Sequence, residues 1–491
     1  MSTKKMKRVT IDPITRLEGH GKIEVFLDKK GNVANAYFQV PELRGFEKFC
    51  EGRPAEELPR ITPRICGVCP GAHHMASAKA VDDLYHVEVP PPGKKLRELF
   101  YCAHVIHSHV AHFYCLAAPD FVVGPTADPA ERNVLGMIGK VGLDVVKDVM
   151  KQRGYAQDIQ ALIGGKATHP VCALPGGLSK SINEEERRGV EEKAVSLVEF
   201  AKFSLKLFHD AVLGEKKYVD LIKSDAYSLE SYYMGLVDKN NNVAYYDGQV
   251  RVVKPDGEEF VKFDGHDYLD HVAEHVEPWT YLKFPYLKAI GWKGLVDGED
   301  SGVYRVAPLA RLNAADGMST PLAQQEYEVM FDTLGGKPVH ATLANHWARL
   351  IEVLNLSEQL LELSRDPEIT SDNVRAVPTE TPTVGIGVVE APRGTLFHHY
   401  KTDEQGLITD VNLIVATGNN HAAICMSVRD AARGVIKGGK VNEGLLNMVE
   451  MAFRAYDPCI ACATHALPGR MPLIARIFDS EGQLLETVSR D

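Results

Sequence analysis

Two Cys-x-x-Cys pairs near opposite ends of the chain constrain its fold more than any other feature. The first pair is Cys66 and Cys69, the second is Cys459 and Cys462, and the pairs are 393 residues apart (459 − 66). A Cys-x-x-Cys turn can present two thiolates on one side of the backbone, where helix N-terminal amides favour the ionised sulfur. A single site built from both pairs requires a fold that brings the two ends of the chain together.

The predicted compartment favours metal or redox chemistry at these cysteines. Nine cysteines in 491 residues are too dilute for a disulfide scaffold. We expect a cytoplasmic protein, because the basic start MSTKKMKRVTIDP is not followed by an apolar stretch and no run of about 18 apolar residues is found, so neither a signal nor direct membrane insertion is expected. In a reducing compartment, paired cysteines more often bind metal than form disulfides. Soft sulfur ligands select zinc, iron–sulfur clusters, copper(I), or a nickel or iron centre.

A structural zinc protein is one alternative interpretation of the two pairs. Zinc ribbons separate their two Cys-x-x-Cys knuckles by about 15–20 residues, far fewer than this chain has between its pairs. A thioredoxin-type dithiol needs only one pair and a βαβ context. The spacing favours one site that joins both ends of the chain, and the zinc interpretation stays open.

Charge and motif content limit the other partners of the chain. With 55 Lys+Arg and 66 Asp+Glu the net charge is −11, and we expect no binding of nucleic acid, which usually requires a basic surface. No Gly-x-Gly-x-x-Gly lies within a predicted βαβ unit, and the other five cysteines form no cluster motif. We therefore expect nucleotides, flavins and iron–sulfur clusters to reside on partner subunits, and the five cysteines to be small core residues.

The hydrophobic pattern predicts an α+β fold dominated by helices. Alternation predicts a hairpin within residues 20–40, with its turn at residues 29–32. Helical spacing is found at residues 72–85, 94–116, 183–213, 321–363 and 420–455, and strand patterns at 378–415. We divide the chain into an N-terminal hairpin and helical domain (1–217), an inserted α+β subdomain (218–311), a helical and β part with the second cysteine pair (312–465), and a C-terminal extension (466–491).

The segments around the cysteines resemble a known family. RICGVCPGAH (64–73) and DPCIACATH (457–465) are similar to the two signature motifs of the large, catalytic subunit of [NiFe]-hydrogenases. The resemblance continues in TRLEGH (15–20), RGFEKF (44–49), HSHVAHFY (107–114) and EAPRG (390–394), and so covers nearly the whole chain. It implies a central helical bundle with small peripheral β-sheets, and reversible oxidation of dihydrogen. A non-catalytic quinone-module subunit of the complex I type is the alternative, but that relative lacks the four cysteines.

The resemblance implies a role for each of the four cysteines in the two pairs. Cys66 and Cys459 would be terminal ligands of nickel, whereas Cys69 and Cys462 would bridge nickel to an iron that carries two cyanides and one carbon monoxide. Dihydrogen would be split heterolytically, with Cys459 as the first proton acceptor. Glu18 matches the family's proton-relay glutamate, although an isolated glutamate is more often a solvated surface charge.

Four further residues match the pocket around the iron ligands. Arg393 matches an arginine over the open metal face, where a fixed and always-charged donor fork suits cyanide. Pro392 would line the same pocket. Thr417 aligns with a hydroxyl that hydrogen-bonds cyanide, or is a plain strand residue, and Asp457 is a turn cap, a carboxylate partner of Arg393, or both.

A second metal site is implied by Glu47, His465 and the backbone carbonyl near Leu413. A carboxylate, a carbonyl and water suit magnesium, and the imidazole also suits iron. The alternative for His465 is a zinc ligand that follows the second cysteine pair.

The resemblance also indicates partners and a maturation step. We expect a small subunit with a [4Fe–4S] cluster, and further electron-transfer subunits of the heterodisulfide reductase type or an NAD/flavin module. Ser108, where membrane-linked relatives carry Asp, is typical of the soluble, cytoplasmic branch. Residues 466–491 predict a polar turn and a small hairpin around residues 480–482, and the family removes such an extension after the histidine. The expected cut lies between His465 and Ala466; the alternative is an edge hairpin that stays in place.

Overall fold

Long helices form the centre of the chain in the computed structural model, which describes residues 7–12, 14–466, 473–478 and 484–490. Helices make up 49% of the structure, and small sheets lie around them. The predicted α+β fold dominated by helices is therefore confirmed. The helices are α1 (Phe46–Cys50), α2 (Leu58–Ile61), α3 (Pro70–Leu84), α4 (Pro91–Ala111), α5 (Ala118–Val122), α6 (Val134–Val141), α7 (Leu143–Gly164), α8 (Glu184–Phe208), α9 (Lys216–Ile222), α10 (Tyr268–His271), α11 (Pro308–Ala314), α12 (Pro321–Leu334), α13 (Asn345–Arg365), α14 (Ala416–Asn419), α15 (His421–Val435), α16 (Glu443–Arg454) and α17 (Ile460–Ala463).

The strands form several small sheets. They are β1 (Lys7–Ile11), β2 (Lys22–Leu27), β3 (Val33–Gln39), β4 (Ala173–Leu174), β5 (Gly177–Leu178), β6 (Tyr232–Val237), β7 (Gln249–Val253), β8 (Glu259–Phe263), β9 (Val272–His275), β10 (Phe284–Leu287), β11 (Tyr304–Arg305), β12 (Val384–Ala391), β13 (Gly394–Thr402), β14 (Ile408–Ile414), β15 (Leu473–Phe478) and β16 (Leu484–Arg490). The larger sheets have the orders β1-β2-β3, β11-β6-β7-β8 and β12-β13-β14. Only the β11–β6 pair is parallel among these described strands.

The central core is built around α13. This helix packs against both α4 and α8, and most of its residues are buried, including Trp347. Helix α8 begins with a capping box, in which the side chains of Asn183 and Glu186 each accept from the other residue's backbone amide. A helix that is buried on nearly all sides has either apolar side chains or polar side chains with partners inside the protein. Helix α13 therefore lacks a clear polar face.

The predicted elements agree with the structure except where glycines interrupt helices. The predicted hairpin within residues 20–40 is confirmed as β2 and β3, and β1 adds a third strand. The single helical pattern at 321–363 is wrong as one element, because Gly335 and Gly336 have φ values of 101° and 104° and separate α12 from α13. The pattern at 420–455 is likewise divided between α15 and α16, with Gly438 and Gly439 at positive φ in between. Residues in the left-handed region end an α-helix.

The inserted region and the C-terminal extension have the predicted types of element. The sheet β11-β6-β7-β8 is drawn entirely from residues 218–311, and β15 pairs with β16 as an antiparallel hairpin. The turn expected at residues 480–482 lies outside the described residues. The division of the chain at 217/218, 311/312 and 465/466 stays a prediction. Among the described residues, no helix has both the length and the apolar character needed to cross a bilayer.

Helix α3 and strand β12 approach each other closely, and they position Cys69 and Arg393, two of the candidate site residues. Cys69 is the N-cap of α3, and β12 leads to the turn that holds Arg393. The contact depends on Gly385 and Gly387, because a Cβ atom on either would overlap a carbonyl oxygen of α3, that of Ala80 or Ala76. Glycine in a strand often marks such a close backbone approach.

We expect Gly387→Ala to lower the free energy of unfolding by about 1–3 kcal/mol, the usual cost of overpacking. The added methyl group would press against the backbone of α3. A matched control is Gly139→Ala on α6, where a Cβ atom meets nothing within 4 Å. Because alanine favours helix more than glycine does, this control should be neutral or gain up to about 1 kcal/mol. Chemical unfolding of the two variants measures the difference, and equal stabilities would contradict the packing argument.

Candidate metal centre

The four cysteines of the two distant pairs meet in one buried cluster. The Sγ atoms of Cys66 and Cys459 are 3.0 Å apart, as are those of Cys69 and Cys462, and the Sγ atoms of Cys459 and Cys462 are 3.1 Å apart. All four sulfur atoms lie within 4.8 Å of one another. These separations exceed the length of about 2.05 Å of a disulfide bond. The arrangement gives four soft donors that face a common centre, as a thiophilic metal site requires.

Short turns present the cysteines to the centre. Cys69 precedes α3 and Cys459 precedes α17, so each pair lies at the start of a helix. For the first pair, the helical pattern at residues 72–85 predicts this position. The backbone amides of Val68 and Cys69 both donate to Cys66 Sγ, at 3.2 and 3.3 Å. Such amide donors favour an ionised sulfur.

The thiols differ in how readily they ionise. The neighbouring thiols of Cys459 and Cys462 donate to Cys66 Sγ and lower the pKa of Cys66 well below its usual value. Burial raises the pKa of Cys459 and of Cys462 well above that value. Metal ligation requires thiolates. Because the protein surroundings do not stabilise all of these thiolates, the positive charge of a bound cation must do so.

Glu18 lies directly against the second cysteine pair. Its Oε2 atom is 3.0 Å from Cys459 Sγ and accepts from the backbone amide of Ala461 at 3.0 Å. The Glu18 carbonyl also accepts from the amide of Ile460, so that residues 18 and 459 pair as a short β-bridge. Burial raises the pKa of the Glu18 carboxyl. A half-buried carboxyl in contact with a thiol can exchange a proton with it.

Arg393 is held next to the cluster by Asp457. Its Nε donates to the Asp457 carbonyl at 2.6 Å, and its Nη2 donates to Asp457 Oδ1 at 3.0 Å. The third contact is longer, because Arg393 Nη1 is 3.5 Å from Ser108 Oγ. Burial lowers the pKa of Arg393. Asp457 and the nearby sulfurs of Cys459 and Cys69 outweigh burial, and the pKa lies well above its usual value. The guanidinium therefore stays charged, with only a weak partner on the Ser108 side.

Thr417 and Pro392 are also buried at this place. Thr417 Oγ1 accepts from the backbone amide of Cys459 at 3.0 Å, which leaves the hydroxyl proton free to donate elsewhere. Pro392 directly precedes Arg393 in the turn between β12 and β13. Thr417 belongs to the short helix α14 and is not a strand residue.

The predicted ligands of the second metal also converge. His465 Nε2 is 2.6 Å from the Leu413 carbonyl oxygen and 3.6 Å from Glu47 Oε1. The amide of Leu413 donates to the same Glu47 oxygen at 2.8 Å. His465 is further fixed by Nδ1, which is 3.0 Å from the Cys462 carbonyl. The set of one carboxylate, one carbonyl and one imidazole joins the end of the second cysteine segment to α1 and β14.

The histidines of the motif segments mostly pair with other protein groups. His73 contacts His398, His74 contacts the Pro59 carbonyl, His104 contacts Gln160, His109 contacts Glu352 and His112 contacts the Arg454 carbonyl. Burial lowers the pKa of His73, His74, His104 and His109 to about 4. These four histidines are therefore neutral at neutral pH and pack as core residues.

The remaining cysteines lie apart from the cluster. Cys50, Cys102, Cys172 and Cys425 are buried and Cys115 is half-buried. Burial raises the pKa of Cys50, Cys172 and Cys425 to about 12. These thiols stay protonated, as expected for small core residues.

One residue of the site was not singled out by the sequence. Arg44 Nη1 donates to the carbonyl of Ile65 at 2.6 Å and lies 3.4 Å from that of Ala461. Its backbone amide donates to the Thr464 carbonyl. Arg44 thus ties both cysteine segments together, and its place at the head of RGFEKF is the signal that could have identified it.

Comparison with protein families gives the site a context. Residues 44–134 and 220–465 match the family model described as nickel-dependent hydrogenase, and residues 8–43 match one described as HoxL-like. The chain is 52% identical over 484 residues to the iron-sulfur subunit of an F420-non-reducing hydrogenase from Archaeoglobus profundus, covering 98% of this chain and 99% of that protein. It is 40% identical to the beta subunit of the NAD-reducing hydrogenase HoxS from Cupriavidus necator, over 99% of this chain and all of that protein.

Solved structures show the same architecture. The crystal structure of an NAD+-reducing [NiFe]-hydrogenase in the H2-reduced state superposes with a TM-score of 0.88 and 38% identity, covering 94% of this chain and 99% of that chain. A Ni-Fe-Se hydrogenase from D. vulgaris Hildenborough superposes with a TM-score of 0.75 at 23% identity over 94% of this chain and all of that chain, a likeness that shows the fold alone.

Proposed function

The chain belongs to the nickel-dependent hydrogenase family, and from this premise we propose how its own residues serve the oxidation of dihydrogen. It is the large subunit of a [NiFe]-hydrogenase, an oxidoreductase that splits dihydrogen into protons and electrons. The observation that carries the residue-level proposal is the buried cluster of four thiols, with Glu18 against Cys459 and Arg393 close by.

The donor set fits a nickel–iron centre. Four sulfur atoms within 4.8 Å of one another suit two thiophilic metals that share ligands. In this proposal Cys66 and Cys459 would hold nickel as terminal ligands, and Cys69 and Cys462 would hold nickel together with an iron that carries two cyanides and one carbon monoxide. When bound, this centre supplies the heterolytic splitting of dihydrogen and accepts its electrons.

Cys459 and Glu18 form the first steps of the proton path. Cys459 Sγ takes the proton, and Glu18 Oε2 at 3.0 Å receives it. The raised pKa of Glu18 supports this role, because burial favours the protonated form of a carboxyl that lies in contact with the Cys459 sulfur. The β-bridge between residues 18 and 459 keeps the two atoms in reach of each other.

Arg393, Asp457, Pro392 and Thr417 form the pocket for the iron ligands. The charged guanidinium of Arg393, fixed by Asp457, has donors available for a cyanide nitrogen. The free hydroxyl proton of Thr417 can donate to a second cyanide. Pro392 supplies an apolar wall.

Glu47, His465 and the Leu413 carbonyl would hold a second cation. His465 Nε2 lies 2.6 Å from the Leu413 carbonyl oxygen and 3.6 Å from Glu47 Oε1. Magnesium suits the two oxygen donors, and iron suits the imidazole. A cation here would tie the second cysteine segment to α1 and β14, beside the nickel–iron site.

Electrons leave through partner subunits. We propose a small subunit with a [4Fe–4S] cluster, since none of the described cysteines outside the buried cluster is placed to hold one. We also propose further electron-transfer subunits, either of the heterodisulfide reductase type or an NAD/flavin module; the name NAD-reducing hydrogenase of one relative supports the second. The cytoplasmic location stays a prediction.

Infrared spectroscopy of the matured protein tests the metal assignment. We expect bands of metal-bound cyanide and carbon monoxide, together with nickel and iron by elemental analysis. Cys462→Ser should remove the bands and the activity, because it removes a bridging ligand. Cys102→Ser, a buried thiol outside the cluster, should keep both. Zinc without nickel or iron, and no cyanide bands, would contradict the assignment and favour a structural zinc site.

Glu18→Gln should block proton transfer while leaving the metals in place. The amide keeps the shape of the carboxylate but cannot carry the proton, so we expect exchange between D2 and water to fall by about 10²- to 10⁴-fold. A matched control is Glu42→Gln, on a carboxylate that pairs with His20 at the surface. Unchanged exchange in the Glu18 variant would remove this residue from the proton path.

The C-terminal extension should be absent from the active subunit. We propose a cut between His465 and Ala466 after nickel insertion, because all predicted ligands lie at or before residue 465. Intact-mass measurement of the nickel-loaded protein should give a chain that ends at His465. A full-length active subunit would show that the hairpin of β15 and β16 stays in place.

A further inference from the structure

The turn that carries Arg393 is held by buried side chains at consecutive carbonyl groups. Pro392 and Arg393 form the two-residue turn between β12 and β13, with Ala391 paired to Gly394. In a solvent-exposed hairpin, such turn carbonyls bind water. Here each carbonyl from residue 390 to residue 393 accepts from a side chain: Tyr101 OH to Glu390 (2.8 Å), Arg311 Nη1 to Ala391 (2.9 Å), Arg311 Nη2 to Pro392 (3.2 Å) and Asn420 Nδ2 to Arg393 (3.2 Å).

Asn420 uses both ends of its carboxamide. While Nδ2 donates to the Arg393 carbonyl, Oδ1 accepts from the backbone amide of Val306 at 2.9 Å. The loop at Val306 presses on the Arg393 turn, because a Cβ atom at Gly394 would overlap the side chain of Val306. The next residue, Ala307, has a φ of 91°, which is strained for alanine. Asn420 therefore holds the turn and the strained loop at a fixed distance.

Buried carboxylates fix the side chain of Arg311, which also contacts the turn. Its guanidinium binds Glu352 through two hydrogen bonds of 2.6 Å and Glu390 through one of 2.8 Å, and all three side chains are fully buried. His109 also contacts Glu352, at 2.8 Å. The two remaining contacts of Arg311, to the carbonyls of Ala391 and Pro392, thus connect the turn rigidly to α4, α11 and α13.

We propose that Asn420, Arg311 and Tyr101 are positioning residues that fix the backbone of the Arg393 turn and so aim the Arg393 guanidinium at the metal centre. Among the described residues, the long arginine side chain has two strong anchors of its own, both on Asp457. A backbone shift of about 1 Å at the turn would move the guanidinium from its working place, and misplacements of that size can reduce rates by about 100-fold. The inference rests on the proposed role of Arg393 at the iron ligands.

A double-mutant cycle separates positioning from ordinary stabilisation. Asn420→Ala is made in the wild-type chain and together with Arg393→Lys, in the complete hydrogenase with its partner subunits. We expect Asn420→Ala to lower kcat by about 10- to 100-fold when Arg393 is present. It should lower kcat by less than about twofold together with Arg393→Lys, because there is then no guanidinium to position.

The matched control is Asn313→Ala. Asn313 is also buried and also uses both ends of its carboxamide, with Nδ2 donating to the Val339 carbonyl at 2.8 Å and Oδ1 accepting from the Val339 amide at 3.0 Å. Its removal should lower Tm as Asn420→Ala does, with kcat unchanged. The infrared bands of cyanide should shift in Asn420→Ala and in Arg393→Lys, and stay in place in Asn313→Ala.

Tyr101→Phe is a second test of the proposal, to be used if the Asn420→Ala protein does not assemble with its partner subunits. It removes one donor to the turn, that to the Glu390 carbonyl, at nearly constant volume. We expect a smaller loss of kcat in the same direction, again only when Arg393 is present. Equal losses with and without Arg393, or a loss of kcat in Asn313→Ala matching that in Asn420→Ala, would overturn the inference. Absence of cyanide bands in the wild-type protein would instead contradict the proposed ligand set and not the coupling, which the rates measure.

Discussion

The burial of four thiols in one small volume is the constraint on which the rest of the structure depends. The sulfur atoms come from segments almost four hundred residues apart, yet all lie within 4.8 Å. Burial opposes ionisation at Cys459 and Cys462, so the protein alone does not stabilise four thiolates at this place. A bound cation replaces the thiol protons and stabilises the thiolates. Metal binding and the closure of the fold around the cluster are therefore linked.

The residues around the cluster differ in charge. The carboxyl of Glu18 has a raised pKa, which suits a group that passes protons. Arg393 is permanently charged and is paired with Asp457. The nearby buried histidines are neutral, so they add packing and hydrogen bonds without a further charge. The proposed proton carrier and the fixed cation are thus different residues with different partners, Cys459 for Glu18 and Asp457 for Arg393.

The residues that we propose to lie at the metals could be predicted from the sequence, and the residues that hold them in place could not. Cys66, Cys69, Cys459 and Cys462 stand in short motifs with fixed chemistry, and Glu18 and Arg393 are recognised by their neighbours in the chain. Asn420 and Arg311 act on backbone carbonyls far away in sequence, and their contacts follow only from the packing of α11, α13 and α14. The helix breaks at Gly335 and Gly438 escaped detection for a related reason: apolar periodicity continues across them, whereas the backbone conformation does not.

His465 shows how the second site connects with the first and with the end of the described core. Its Nδ1 contacts the Cys462 carbonyl, its Nε2 contacts the Leu413 carbonyl, and its own carbonyl accepts from the Glu47 amide. The segment of Cys459 and Cys462 is thereby anchored at its last residue, by contacts that involve only residues up to 465. A cut after His465 would remove none of these contacts, and the cluster would keep its anchor without the extension. A cation bound by Glu47, His465 and the Leu413 carbonyl would strengthen this anchor, and the proposed removal of the extension would leave the anchor intact.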